Sequence, residues 1–168
     1  GLYRITYVGD ESTAPAKPVR KGENERKIRR SLEAYLQEGA KVASSSEIDF
    51  IWKSLGSNDR GIRHAARVAL EKQPAKAWKD RLAAETNPVT STAAMIALAR
   101  VDGEGAASEI IAKATSLDYT KTKSRQTRLD ILRSVTLSLT RGGQPNESDR
   151  AKLIKWLDGI YPARTPDE

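Results

Sequence analysis

Cysteine is absent from the 168 residues. That absence alone excludes disulfides, cysteine-ligated zinc, thiol catalysis and a Cys-x-x-Cys-His haem attachment within this chain. Histidine occurs once, at His64, so no histidine cluster is at hand for a metal and no Ser/His/Asp arrangement has a choice of base. His64 follows Arg63 outside the apolar stripe of its helix and reads as a surface residue. Aromatic residues are 5% with a single Phe, which leaves a core to be built from Ala, Leu, Ile and Val. Long hydrophobic runs are missing too. The longest, Ala93 to Ala99, is far short of the ~20 residues a spanning helix needs, and no signal-peptide pattern is visible. Neither a G-x-G-x-x-G nor a P-loop pattern occurs, and Gly103 and Gly105 read as a turn ahead of a helix rather than a phosphate cradle.

Charge is plentiful. Lys and Arg number 29 against 22 Asp and Glu, a formal net charge of +7, which permits weak association with polyanions without demanding it. Acidic pairs such as Glu47 with Asp49 and Glu104 with Glu109 stand near expected helix starts, where the macrodipole accounts for them.

The chain opens on "GLYRITYVG", whose alternation has the period of a strand. No second convincing strand follows. Residues 1–9 are therefore expected to be the edge strand of a preceding domain, and 10–23, broken by Pro15 and Pro18, a linker. Helical periodicity then takes over. Asn24 is the expected first cap, ahead of Ile28, Leu32, Tyr35 and Leu36. Ser44 to Ser46 precede Ile48, Ile51, Trp52 and Leu55; Asp59 precedes Ile62, Ala65, Ala66, Ala69 and Leu70.

The last of these patterns recurs at an offset of 28 residues, about the length of two short helices and two turns. Asn87 takes the position of Asp59, Ala93 and Ala94 those of Ala65 and Ala66, and Leu98 that of Leu70. Trp78, Leu82 and Ala83 are expected to form the helix between the two. A looser third pair follows. Ala107, Ile110, Ile111 and Ala114 lie on one helix, and Leu129, Leu132, Val135, Thr136 and Leu139 on the next. A last helix carries Leu153, Trp156, Leu157 and Ile160. About seven helices without long-range strand pairing make an all-α chain.

"LGSNDRGIRHAARVALE" resembles the HEAT-repeat consensus through Leu55, Asp59, Ile62, Arg63, Ala65, Ala66, Ala69 and Leu70. The resemblance implies a HEAT-like α-solenoid of about three to four helical hairpins over 24–161, with an N-terminal extended segment and a C-terminal linker at 162–168. It also implies hydrogen bonding of Asp59 and Arg63 across repeats, a ladder that Asn87 and Ser91 would break after one rung. "GLYRITYVG" in turn resembles the closing strand of quinoprotein glucose/sorbosone-dehydrogenase-like β-propellers. In large secreted bacterial proteins such propellers precede a HEAT-like segment and then a cytochrome c domain. That resemblance implies an extracytoplasmic parent with redox or sugar chemistry located elsewhere.

The expectation is thus a non-catalytic scaffold and interaction module with no cofactor of its own. Its partners would be neighbouring domains or another protein, met through Arg26, Arg30, Arg63 and Arg67. The alternative is a nucleic-acid-binding protein similar to the DNA glycosylases built of HEAT-like repeats. Two basic stretches motivate it: Lys17, Arg20, Lys21, Arg26, Lys27, Arg29 and Arg30, then Lys121, Lys123, Arg125, Arg128 and Arg133. For Trp52 and Trp156, on apolar stripes, core packing is the expectation.

Overall fold

A computed structural model describes residues 2–15 and 21–167; Lys17 and Arg20 of the first basic stretch lie outside the described residues. The chain is all-α, as its periodicity requires. Among the described residues there are eight α-helices and no strand. These are α1 (Glu23–Glu33), α2 (Ser45–Ser54), α3 (Arg60–Glu71), α4 (Arg81–Ala84), α5 (Pro88–Val101), α6 (Ala107–Ser116), α7 (Arg125–Gly142) and α8 (Glu147–Ile160).

The helices form two layers. In the first, α3 packs between α1 and α5, and α5 between α3 and α7. In the second, α2 covers α3, α6 covers α5 and α7, and α4 and α8 both pack on α6. The core between the layers is aliphatic. Leu55, Ala66, Ala69, Leu70, Leu98, Ile110, Ile111 and Ile131 are all fully buried. Ala at positions facing a neighbouring helix lets the axes approach to the short end of the usual 8–10 Å.

Capping fixes where these helices begin. Asp59 Oδ1 accepts from the Ile62 amide at 2.9 Å, and Asn87 Oδ1 accepts from Val89 and Thr90. Both caps stand where the 28-residue alignment puts them. At α2 the Ser44 amide and hydroxyl both donate to Glu47 Oε2, at 2.9 and 2.8 Å. Lys41 lies 2.8 Å from the other Glu47 oxygen. Lys41 first, and then the Ser44 bonds, hold the Glu47 carboxyl down at about 2.

Several expectations fail, each for a local reason. The cap of α1 is Gly22, at φ 77°, rather than Asn24, because only glycine enters that left-handed turn without strain. Of its expected stripe only Leu32 is buried, with Tyr35 half-buried and Ile28 and Leu36 exposed; α1 ends the layer and has a neighbour on one side alone. The helix expected around Trp78 is reduced to a 3-10 turn at Ala75–Ala77 and the single turn of α4. Trp78 is nevertheless buried, its ring 6.4 Å from that of Trp52.

On α7 the buried face is rotated from the leucine stripe. Ile131, Ser134, Val135 and Ser138 are buried, Leu129, Leu132 and Leu139 are half-buried and Thr136 is exposed. Small serines face the layer because α7 lies close along α5, and the leucines fill its flanks. On α8, Leu153 is buried and Trp156 stands edge-on to Tyr119, but Leu157 is exposed. Gly103 and Gly105 do form a turn before α6, a 3-10 segment over Gly103–Ala106.

Residues 2–8 carry neither helix nor strand. Leu2, Tyr3 and Ile5 are fully exposed, and none of the three is packed against the helices. No helix among the described residues is long and apolar enough to cross a membrane.

Candidate functional site: an arginine-rich groove

A helix at N4 of its first turn can send a long cationic side chain back over the turn that precedes it. Arg63 does this on α3. Its guanidinium donates to the carbonyls of Ser57 at 2.7 Å and Asn58 at 3.0 Å. The cross-repeat pairing of Asp59 with Arg63 is therefore absent: the aspartate caps its own helix and the arginine ties down its own turn. Arg128 repeats the device on α7. It lies four residues after the cap Ser124, which accepts from the Thr127 amide, and donates to Thr122 and Lys123 at 3.0 and 3.3 Å. The equivalent position on α5 is Ser91, buried with no hydrogen-bond partner for its hydroxyl.

Sequence reading placed α7 in a loose third unit but missed this correspondence. Ser124 and Arg128 stand to α7 as Asp59 and Arg63 stand to α3, behind the longer polar connection of 117–123. The shared spacing of the Asp59 and Ser124 caps from an Arg four residues on is the signal the sequence carries for it, and the Asn146 cap of α8 shows the same spacing to Arg150.

Beyond Arg63 the exposed edge of α3 turns towards α5 and α7, and the three helices enclose a groove of about 360 Å³. One wall is Arg60, Arg63, His64 and Arg67, and the floor is Val89, Thr92, Ala93 and Ile96. Ala93, aligned with the buried Ala65, is half-buried here because it forms part of that floor. The opposite wall is Gln126, Asp130 and Arg133.

Four guanidinium groups against one carboxylate make the groove cationic. The four are not equivalent. Arg67 is paired with Glu71, which Arg100 also approaches at 3.3 Å, and lies 3.3 Å from His64 Nδ1. Arg63 is bound to its turn. Arg60 and Arg133 are exposed and have no ion-pair partner among the described residues. Asp130 accepts from the Gln126 amide at 3.0 Å.

The fold thus brings Arg63 and Arg67 into one site and leaves Arg26 and Arg30 on α1 outside it. Arg26 donates to the Lys21 carbonyl at 2.8 Å and Arg30 is exposed. Of the second basic stretch only Arg133 reaches the groove.

Two other clusters are explained by structure. Lys113 is buried and donates to the carbonyls of Ala83 and Glu85, closing the end of α4; burial pushes its ammonium pKa down, with Glu85 opposing. Asp149 is buried where α8 meets α6. It accepts from the Ser108 hydroxyl at 2.5 Å and the Asn146 amide at 2.7 Å. No group of three or more His, Asp and Glu side chains gathers to hold a metal among the described residues.

Comparison with protein-family models, with curated proteins and with solved structures gives no match for this chain.

Proposed function

We propose that this chain is a HEAT-like helical-repeat segment that serves as a non-catalytic scaffold, docking a protein partner on the open face of α3, α5 and α7. The groove carries the reading: four guanidinium groups stand above an aliphatic floor on the face the second layer leaves uncovered. Layered hairpins act through stiffness, each contacting only its neighbours, so they fix distances while presenting a continuous surface. The neighbour-to-neighbour packing of α1, α3, α5 and α7 and the repeated arginine-to-turn bonds of α3 and α7 support the repeat assignment.

In this reading the segment is a spacer in a larger, extracytoplasmic chain, and any cofactor chemistry belongs to adjoining domains. The exposed Leu2, Tyr3 and Ile5, in a segment whose sequence has the period of a strand, suit an edge strand whose sheet is supplied from elsewhere.

The nucleic-acid alternative lacks an aromatic platform. Trp52 and Trp78 face each other in the core and Trp156 leans on Tyr119, and none of the three lines the groove. Fluorescence anisotropy with a labelled polyglutamate peptide and a labelled DNA duplex, each at low and physiological salt, separates the two. Scaffolding predicts retention of the peptide, weakened by R60E and R133E. Tight, steeply salt-dependent DNA binding would transfer the assignment to the alternative.

A further inference from the structure

We infer that the groove's occupant is a short acidic segment of a partner protein with an aliphatic side chain between two separated carboxylates, an inference that rests on the scaffold reading above. Arg63 and Arg67 are already held, by turn carbonyls and by Glu71, so they contribute field more than contacts. Arg60 and Arg133 stand free on opposite walls, one on α3 and one on α7. A guanidinium takes a carboxylate in a bidentate fork, so two of them across a groove read two carboxylates a set distance apart.

Between them lies the aliphatic strip of Val89, Ala93 and Ile96, each half-buried. It offers an apolar side chain a surface that a phosphodiester backbone would leave unused. Asp130, on the α7 wall, makes a continuous polyanion a poorer fit than discrete acids placed either side of it.

The span follows from helix packing. From α3 to α7 there are two interaxial steps of about 8–10 Å, or roughly 16–20 Å. Arg60 opens α3 whereas Arg133 lies two turns into α7, a stagger of about 12 Å at 1.5 Å per residue that brings the separation to roughly 20–23 Å. An extended segment rising ~3.3 Å per residue crosses that in about six or seven residues. The recognised pattern is therefore an acid, an aliphatic residue in the middle, and a second acid about six positions from the first.

Calorimetric titration of the full chain with three synthetic peptides tests this: one with terminal Glu residues and a central Leu, the same peptide with Leu replaced by Ser, and polyglutamate of equal length. The Leu peptide should bind about tenfold or more tightly than the Ser peptide, from burial of the side chain on the floor. R60Q and R133Q should each weaken it about fivefold, while R30Q, on α1 outside the groove, leaves it unchanged. Equal affinity for all three peptides, or indifference to R60Q and R133Q, overturns the anchored pattern and leaves the scaffold reading standing. Failure of every acidic peptide together with steep salt-dependent DNA binding overturns both.

Discussion

Two buried serines offer a sharp test of the packing account. Ser91 on α5 and Ser138 on α7 are each 0% exposed, and neither hydroxyl meets a hydrogen-bond partner. A buried polar group left unpaired costs about 1–3 kcal/mol. Ser134, one turn before Ser138 and equally buried, is different: its hydroxyl donates to the Ile131 carbonyl at 2.7 Å and lies 3.8 Å from Met95 Sδ. Replacing any of the three by Ala gains the same helix propensity, about 0.5 kcal/mol, so their differences isolate the hydroxyl. S91A and S138A should stabilise. S134A forfeits a bond with a net value of about 0.5–1.5 kcal/mol. The gap between the two classes is then about 1.5–4.5 kcal/mol, a difference in Tm of at least about 3–6 °C for a chain of this length. Differential scanning calorimetry of the three single variants measures it directly. Equal Tm shifts in all three would show that hydroxyl pairing does not decide the effect and would refute the reasoning.

Three further predictions concern the ends of helices. N87A removes the acceptor for two amides at the start of α5 and should cost about 1 kcal/mol, read as a lower urea midpoint with unchanged m. Asp149 has its carboxyl held below the usual range, first by the Ser108 hydroxyl and then by Asn146 and Lys152, against the opposing effect of burial. The unfolded chain therefore takes up that proton more readily. The contribution of Asp149 is complete above the unfolded value of about 3.9 and is lost as pH falls through the lower folded value. Tm followed from about pH 6 to 2 should show a shallower acid decline in D149N than in the parent chain. G142V places atoms where an added Cβ already meets the Gly103 carbonyl at 3.0 Å and the Ala107 Cβ at 3.1 Å. It should destabilise by about 1–3 kcal/mol in chemical denaturation.

What could be read in advance was whatever a helix decides locally. Asp59 and Asn87 cap because a short acceptor before an apolar-periodic run has little else to do, and Ala65, Ala66, Ala69 and Leu70 are buried because their spacing shares one face. What escaped reading depended on neighbours. Ile28, Leu36 and Leu157 lie on proper stripes yet stay exposed, since α1 and α8 are each covered on one side only. The face of α7 was set by the close approach of α5, which favours Ser134 and Ser138 over the leucines beside them. The groove was half legible. Arg63 and Arg67 are among the contact residues expected from the sequence, with Arg26 and Arg30, but Arg60 and Arg133 come to face one groove only because α5 lies between their helices, a fact of layer order that no local pattern carries.

The arginines that fold back over their own turns have a consequence for how such a chain changes length. Arg63 and Arg128 use turn carbonyls that would otherwise be open to the next unit, so each turn-and-helix is fastened to itself, and contact between units falls to the aliphatic core and to separate polar bridges such as Lys113 to the Ala83 carbonyl. A part that closes its own seam can be moved apart from its neighbour in sequence without being reworked. The stretch 117–123 lies immediately before one such part and is longer than the connection before α3. Growth of the chain by insertion ahead of Thr122 would leave α7 with the bonds that Arg128 now makes to its own turn.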